Sequence, residues 1–240
     1  MIVQACINGA RPEGYHPALP LTLEDMVRDS LRCINAGASE LHIHPRNADR
    51  RESLSAVDAL VVALRRACPG TLVGVSTGAW IEGDEATTRQ CINGWQTLPD
   101  YASVNLSERD APAVIALLGE KGVGVEAGLA SVRDAERFVS LPQYQRVLRI
   151  LIEIEEQDLA EADRAVDGIE SVLKAAGVAR PILLHGFDAT VWPLIHRARQ
   201  KRWSTRVGLE DGCLQADGNV AGGNADLVAA AMKVFRQTPH

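Results

Sequence analysis

Residues 22–44, TLEDMVRDSLRCINAGASELHIH, contain one complete unit of the fold, running from a helix start through a glycine stop to a short β-branched strand. Thr22 followed three residues later by Asp25 resembles a capping box, and Gly37 stands where a left-handed helix cap is wanted. The strand that follows, 40–44, ends on two histidines. The same helix, glycine, strand cadence recurs at Gly122 and Gly177, and Cys68-Pro69-Gly70 closes another helix.

Outward from this unit, strands are expected at 2–7, 40–44, 72–76, 102–105, 123–126, 147–154, 182–185 and 205–209. Helices are expected at 22–35, 55–67, 85–95, 111–122, 131–138, 159–175, 189–201 and 224–236. Eight strands alternating with eight helices and no linker predict a single α/β domain, 1–240, closed as a (β/α)8 TIM barrel. An open doubly wound sheet is the other fold this alternation allows, but no GxGxxG follows the first strand.

Composition narrows the function. With 240 residues, 46% hydrophobic and 23% charged, the chain can bury a full interior. A net charge of −6 and the lack of any Lys/Arg run argue against nucleic acid as a partner. The five cysteines, Cys6, Cys33, Cys68, Cys91 and Cys213, form no CxxC pair, which fits neither a disulfide framework nor a structural zinc site. The N-terminus lacks the charged region of a signal peptide, and no apolar run approaches the length of a membrane helix. The expected location is a reducing cytoplasm, with no membrane contact.

In such a barrel the reactive groups stand at the C-terminal strand ends. On a strand, residues two apart share a face, so His42 and His44 project together as a two-imidazole mount for a metal. The eighth strand closes beside the first, which brings Glu210 within reach of the space above them. Two histidines and one carboxylate leave an open coordination position, the pattern of a catalytic metal, with zinc the expected ion. Taken alone, the His pair reads more readily as packed or hydrogen-bonded histidines than as a metal mount, and Glu210-Asp211 reads equally well as a solvated pair. Arg206 pointing into a barrel needs an anion, supplied by Asp211 or by a substrate carboxylate. Ser76, Thr77 and Gly78 at the third strand end, Ser103 and Asn105 at the fourth, and Glu126 at the fifth complete a polar ring suited to an oxyanion or carboxylate. His185 offers a further polar end. His16 and His196 read as structural, and Asn224 after Gly222-Gly223 reads as the cap of the last helix rather than as part of a phosphate cradle.

These motifs together resemble one family, the β-keto acid cleavage enzymes, typified by the 3-keto-5-aminohexanoate cleavage enzymes. The resemblance rests on ALPLTLE (18–24), HIHPR (42–46), VSTG (75–78), RVGLED (206–211) and NADLV (224–228). It implies a zinc-dependent acyltransferase that condenses a β-keto acid with acetyl-CoA, giving acetoacetate and a new acyl-CoA. It also implies His42, His44 and Glu210 as metal ligands and Asp211, positioned by Arg206, as the base. Ser76, Ser103 and Asn105 would orient the substrate. A homo-oligomer, often a tetramer, is implied as well; the apolar stripe at 227–234 is a candidate interface, though it equally suits packing on the barrel.

The chain departs from the pattern in three places. It is short, with length missing after the fourth, fifth and sixth strands, so no CoA-contacting residue carries over. Residues 47–51 lack the glycine expected after HIHPR. Arg11 stands where members handling an aminated substrate carry a glutamate, which makes it a candidate substrate contact favouring a neutral or anionic β-keto acid. Rival readings are another metal-dependent carbon–carbon lyase of retro-aldol type, a hydrolase on the same site, or a non-catalytic metal- and ligand-binding barrel. An amidohydrolase is disfavoured because the first, fifth and sixth strands carry no histidine.

Overall fold

The structure is a computed structural model and describes residues 1–236. Among these residues, eight parallel strands close into a barrel in chain order: β1 (Val3–Cys6), β2 (Glu40–Ile43), β3 (Leu72–Ser76), β4 (Tyr101–Asn105), β5 (Gly124–Leu129), β6 (Arg149–Ile154), β7 (Ile182–Gly186) and β8 (Ser204–Val207). β1 seals the ring, pairing Cys6 with His42 on one side and Gln4 with Arg206 on the other. Each strand is followed by a helix: α1 (Leu23–Ala36), α2 (Val57–Ala67), α3 (Glu85–Gly94), α4 (Ala111–Glu120), α5 (Val132–Val139), α6 (Leu159–Ala175), α7 (Val191–Gln200) and α8 (Asn224–Arg236). The expected TIM barrel is therefore the fold.

The opening unit forms as its residues dictate. Thr22 Oγ1 accepts the Asp25 N–H at 3.1 Å, and Gly37 ends α1 in the left-handed region with φ 113°. The apolar core lies between sheet and helices. Outward-pointing strand residues such as Val3, Ile43, Val75, Val104, Ile152 and Leu184 are buried there, facing the apolar sides of the helices. On α8, Leu227, Val228, Ala231 and Val234 are buried in that same layer, so the stripe expected as a candidate interface is used within the chain. No described helix is long and apolar enough to cross a membrane.

The barrel interior is polar at its lower level. Arg149 bridges Glu40 at 2.5 Å and Glu126 at 3.0 Å. The Gln4 amide faces Glu40, Glu126 and the Tyr101 hydroxyl at 2.8–3.2 Å. Two carboxylates and one guanidinium shut away from water hold one another, and removing either partner strands a charge. Here the structure corrects one expectation. β5 continues to Leu129 instead of ending at Glu126, so Glu126 lies below the strand end and inside this network, and it does not line the cavity at the strand ends.

Candidate active site

Above that network, the C-terminal strand ends enclose a cavity of about 570 Å³, lined among others by Arg11, His42, His44, Ser76, Trp80, Ser103, Asn105, Glu153, Arg206 and Glu210. Eight of the residues expected from sequence thus share one pocket. Thr77 does not line it, since its hydroxyl turns away to donate to the Ser103 carbonyl at 2.7 Å. Gly78 does not line it either, and its N–H donates to Ser76 Oγ at 3.3 Å. Because Ser76 accepts that bond, its own O–H is left to donate into the cavity.

His42 and His44 emerge from β2 on one face, and Glu210 follows β8. His42 Nε2 lies 3.8 Å and His44 Nε2 3.4 Å from Glu210 Oε1, and one ligand atom from each of the three residues falls within 4.8 Å of the others. Glu210 Oε2 is buried without a hydrogen-bond partner, an orphaned acceptor that a cation would satisfy. Two imidazoles and a carboxylate on one side of an open pocket fit a divalent metal such as zinc.

The electrostatics of this trio follow from its neighbours. Burial pushes His42 down to about 3, so it is a neutral, ready ligand. Burial also depresses His44, but the Glu210 and Glu52 carboxylates outweigh it and lift it to about 9. Burial raises the Glu210 carboxyl, yet Arg206 and the two imidazoles hold it well below the usual carboxylate range.

Two of these neighbours were not singled out in the sequence. His44 Nδ1 donates to Glu52, which also accepts the Trp80 indole N–H at 3.1 Å. That bond fixes the tautomer and leaves Nε2 facing the metal position. Trp80 stacks on His44 with ring centroids 6.2 Å apart. The second neighbour is Glu153, on β6. Arg206 Nη2 reaches Glu153 Oε2 at 3.1 Å, Glu210 Oε1 at 2.7 Å and Asp211 Oδ1 at 3.3 Å. His185 lies between two of these carboxylates, with Nε2 3.1 Å from Glu153 and Nδ1 3.3 Å from Asp211. Burial and Arg206 lower the His185 pKa, but Asp211 and Glu153 together raise it above its ordinary value.

Asp211 is enclosed behind the pocket lining, with 0% of its surface exposed. Arg11 clamps the site from the mouth. Its guanidinium donates to the carbonyls of Glu210 and Asp211 at 3.0 and 3.2 Å, pairs with Asp188 and lies over the Tyr15 ring. Its charge is thus offset by Asp188, which weakens the expectation that it selects against a substrate amine. Asn224 does not act as a simple helix cap, since its side chain turns inward to the Leu209 N–H, the Ile7 carbonyl and Asp29. His16 is structural as expected, bonded to the Ala221 carbonyl.

Comparison with known proteins bears on the family and the fold. The family model for the beta-keto acid cleavage enzyme matches residues 1–148. The chain is 36% identical to the 3-keto-5-aminohexanoate cleavage enzyme of Acetoanaerobium sticklandii over 81 residues, which is 32% of this chain and only 30% of that one. With the enzyme of the same name from Fusobacterium nucleatum subsp. nucleatum it shares 24% identity over 265 residues, covering 99% of this chain and 92% of that one. ObcA, solved as a ternary complex with a C4-CoA adduct and oxalate, superimposes with a TM-score of 0.73 at 18% identity; the match covers 90% of this chain and 63% of the ObcA chain, and shows a shared barrel. The chain belongs to the β-keto acid cleavage enzyme family.

Proposed function

We propose that the protein is a zinc-dependent acyltransferase that condenses a β-keto acid with acetyl-CoA, releasing acetoacetate and an acyl-CoA. The observation that carries this reading is the His42, His44 and Glu210 trio opening onto a pocket that also holds Ser76, Ser103 and Arg206. Zinc bound to the trio would supply Lewis acidity for the keto group of the substrate. The protein's own groups do the rest. Ser76, Ser103 and Asn105, whose amide also reaches Glu108 at 3.3 Å, line the pocket where hydroxyl and amide donors can orient the substrate carboxylate or keto group. Arg206, buried with three carboxylates around it, holds the groups that take and return the proton between the two carbonyls. Acetyl-CoA as second substrate and a homo-oligomeric assembly rest on family membership. The test is a panel of neutral, anionic and cationic β-keto acids assayed for acetoacetate with and without acetyl-CoA. Acetoacetate formed only with acetyl-CoA supports the reading; cleavage that proceeds equally without it replaces the reading with a retro-aldol or hydrolytic one.

A further inference from the structure

The two arms of the metal trio come from strands that do not pair with each other. His42 lies on β2 with His44 just past its end, Glu210 follows β8, and β1 runs between the two strands, paired with both. Both arms leave the sheet before they reach the metal position, since β2 ends at Ile43 and β8 at Val207. Buried main-chain groups past a strand end still need partners. Asn8, fully buried just past β1, supplies them for the first arm. Its Oδ1 accepts the His44 N–H at 3.0 Å, and its Nδ2 donates to the His44 carbonyl at 3.0 Å and the Pro20 carbonyl at 3.3 Å. One side chain thus takes both main-chain groups of His44, as a neighbouring strand would. Asn224 serves the second arm. Its Oδ1 accepts the Leu209 N–H at 2.6 Å, and its Nδ2 donates to the Ile7 carbonyl at 2.7 Å and to Asp29 at 2.6 Å. Leu209 precedes Glu210 and Ile7 precedes Asn8, so the two carboxamides join His44, the end of β1 and Glu210 in one line of bonds. Two glycines leave room for it. A Cβ on Gly208 would come within 2.8 Å of Asn224 Oδ1, and one on Gly9, where φ is 54°, within 2.4 Å of Glu210 Cγ.

From this geometry we infer that Asn8 and Asn224 are positioning residues for the metal site, which set the spacing of His44 and Glu210 through the segment of β1 held between them. The inference rests on the proposed metal-dependent function. Neither asparagine lines the cavity, so both act through the backbone that carries the ligands. A carboxamide suits each place because each side chain donates and accepts at once. An aspartate at position 8 keeps the size but has no proton for the His44 and Pro20 carbonyls, and it sets a carboxylate against two carbonyl oxygens. An alanine removes the bonds altogether. Groups behind the ligands that hold them in place account for a large share of metal affinity.

The test measures zinc affinity by chelator competition and the visible bands of the Co(II)-loaded protein, whose position and intensity report the coordination shell. The proteins are wild type, Asn8→Ala, Asn8→Asp, Asn224→Ala and a control, Tyr144→Phe, which removes a bond from a side chain to the Ala176 carbonyl at 3.1 Å on another part of the barrel. Circular dichroism and thermal melting are recorded for each. The folded asparagine variants are expected to bind zinc roughly 10- to 100-fold more weakly than wild type and to show altered Co(II) bands, while Tyr144→Phe keeps both. If Asn224→Ala does not fold, the two Asn8 variants decide. Wild-type zinc affinity and Co(II) bands in Asn8→Ala and Asn8→Asp would overturn the assignment and leave the proposed function standing, and so would an equal loss in Tyr144→Phe. A wild type that binds neither Co(II) nor zinc would overturn the proposed function itself, and this assignment with it.

Discussion

His44 Nδ1 donates its proton to the Glu52 carboxylate, eight residues further along the chain in the loop after β2. That bond decides which nitrogen of His44 faces Glu210, and Glu52 is in turn held by the Trp80 indole at 3.1 Å. A carboxylate behind a metal-binding imidazole orients the ring and raises its basicity. Glu52→Gln should therefore weaken zinc binding by roughly 10- to 100-fold while leaving the barrel folded. Competition against a chromogenic chelator measures it, and unchanged affinity would remove Glu52 from the site.

The two imidazoles should differ in what they release on metal binding. His42, held at about 3, carries no proton to displace at neutral pH, whereas His44, lifted to about 9, carries one. Between about pH 7 and 8, above the ordinary histidine value near 6.5, zinc binding should release about one proton from the imidazoles, falling toward zero above pH 9. Calorimetry in buffers of different ionisation enthalpy reads this number directly.

The same shift sets the pH dependence of the metal-free fold. The His44 pKa is raised on folding, so its stabilisation is fully present below about 6.5 and is lost as pH rises through about 9. Melting temperature of the metal-free protein should fall across that window more steeply than in His44→Gln. Parallel profiles for the two proteins would show that His44 is not charged there.

Gly208 is the point where the β8 turn passes against β1. A Cβ placed there would sit 1.9 Å from the Cys6 carbonyl oxygen, a backbone atom that cannot swing aside. Gly208→Ala should cost about 1–3 kcal/mol or more of stability and displace Glu210 two residues on, so zinc affinity falls with it. Denaturant melts and chelator competition on the same preparation check both effects.

Much of this was legible in the sequence because barrel strands buried on both faces read as short apolar runs, and glycines mark the helix ends. His42 and His44 show their shared face by spacing alone, and RVGLED places Glu210 and Arg206 at a strand end. Glu126 was misplaced because the end of β5 carries no turn signal: Ala127, Gly128 and Leu129 continue the strand and lower the glutamate into the Arg149 network. Glu52 and Glu153 belong to no motif. They reach the site only because the closed ring brings the β2 loop against Trp80 and sets β6 beside β7, across from Arg206. The enclosure of Asp211 is likewise a property of packing around it and not of its neighbours in the chain.

The most direct test of the central claim is the metal content of the purified protein by elemental analysis, alongside acetyl-CoA-dependent acetoacetate formation, in wild type and Glu210→Ala. The expected result is one zinc per chain and CoA-dependent turnover in the wild type, with both lost in the variant. Turnover by a wild-type protein free of metal, or full zinc occupancy in Glu210→Ala, would contradict the account.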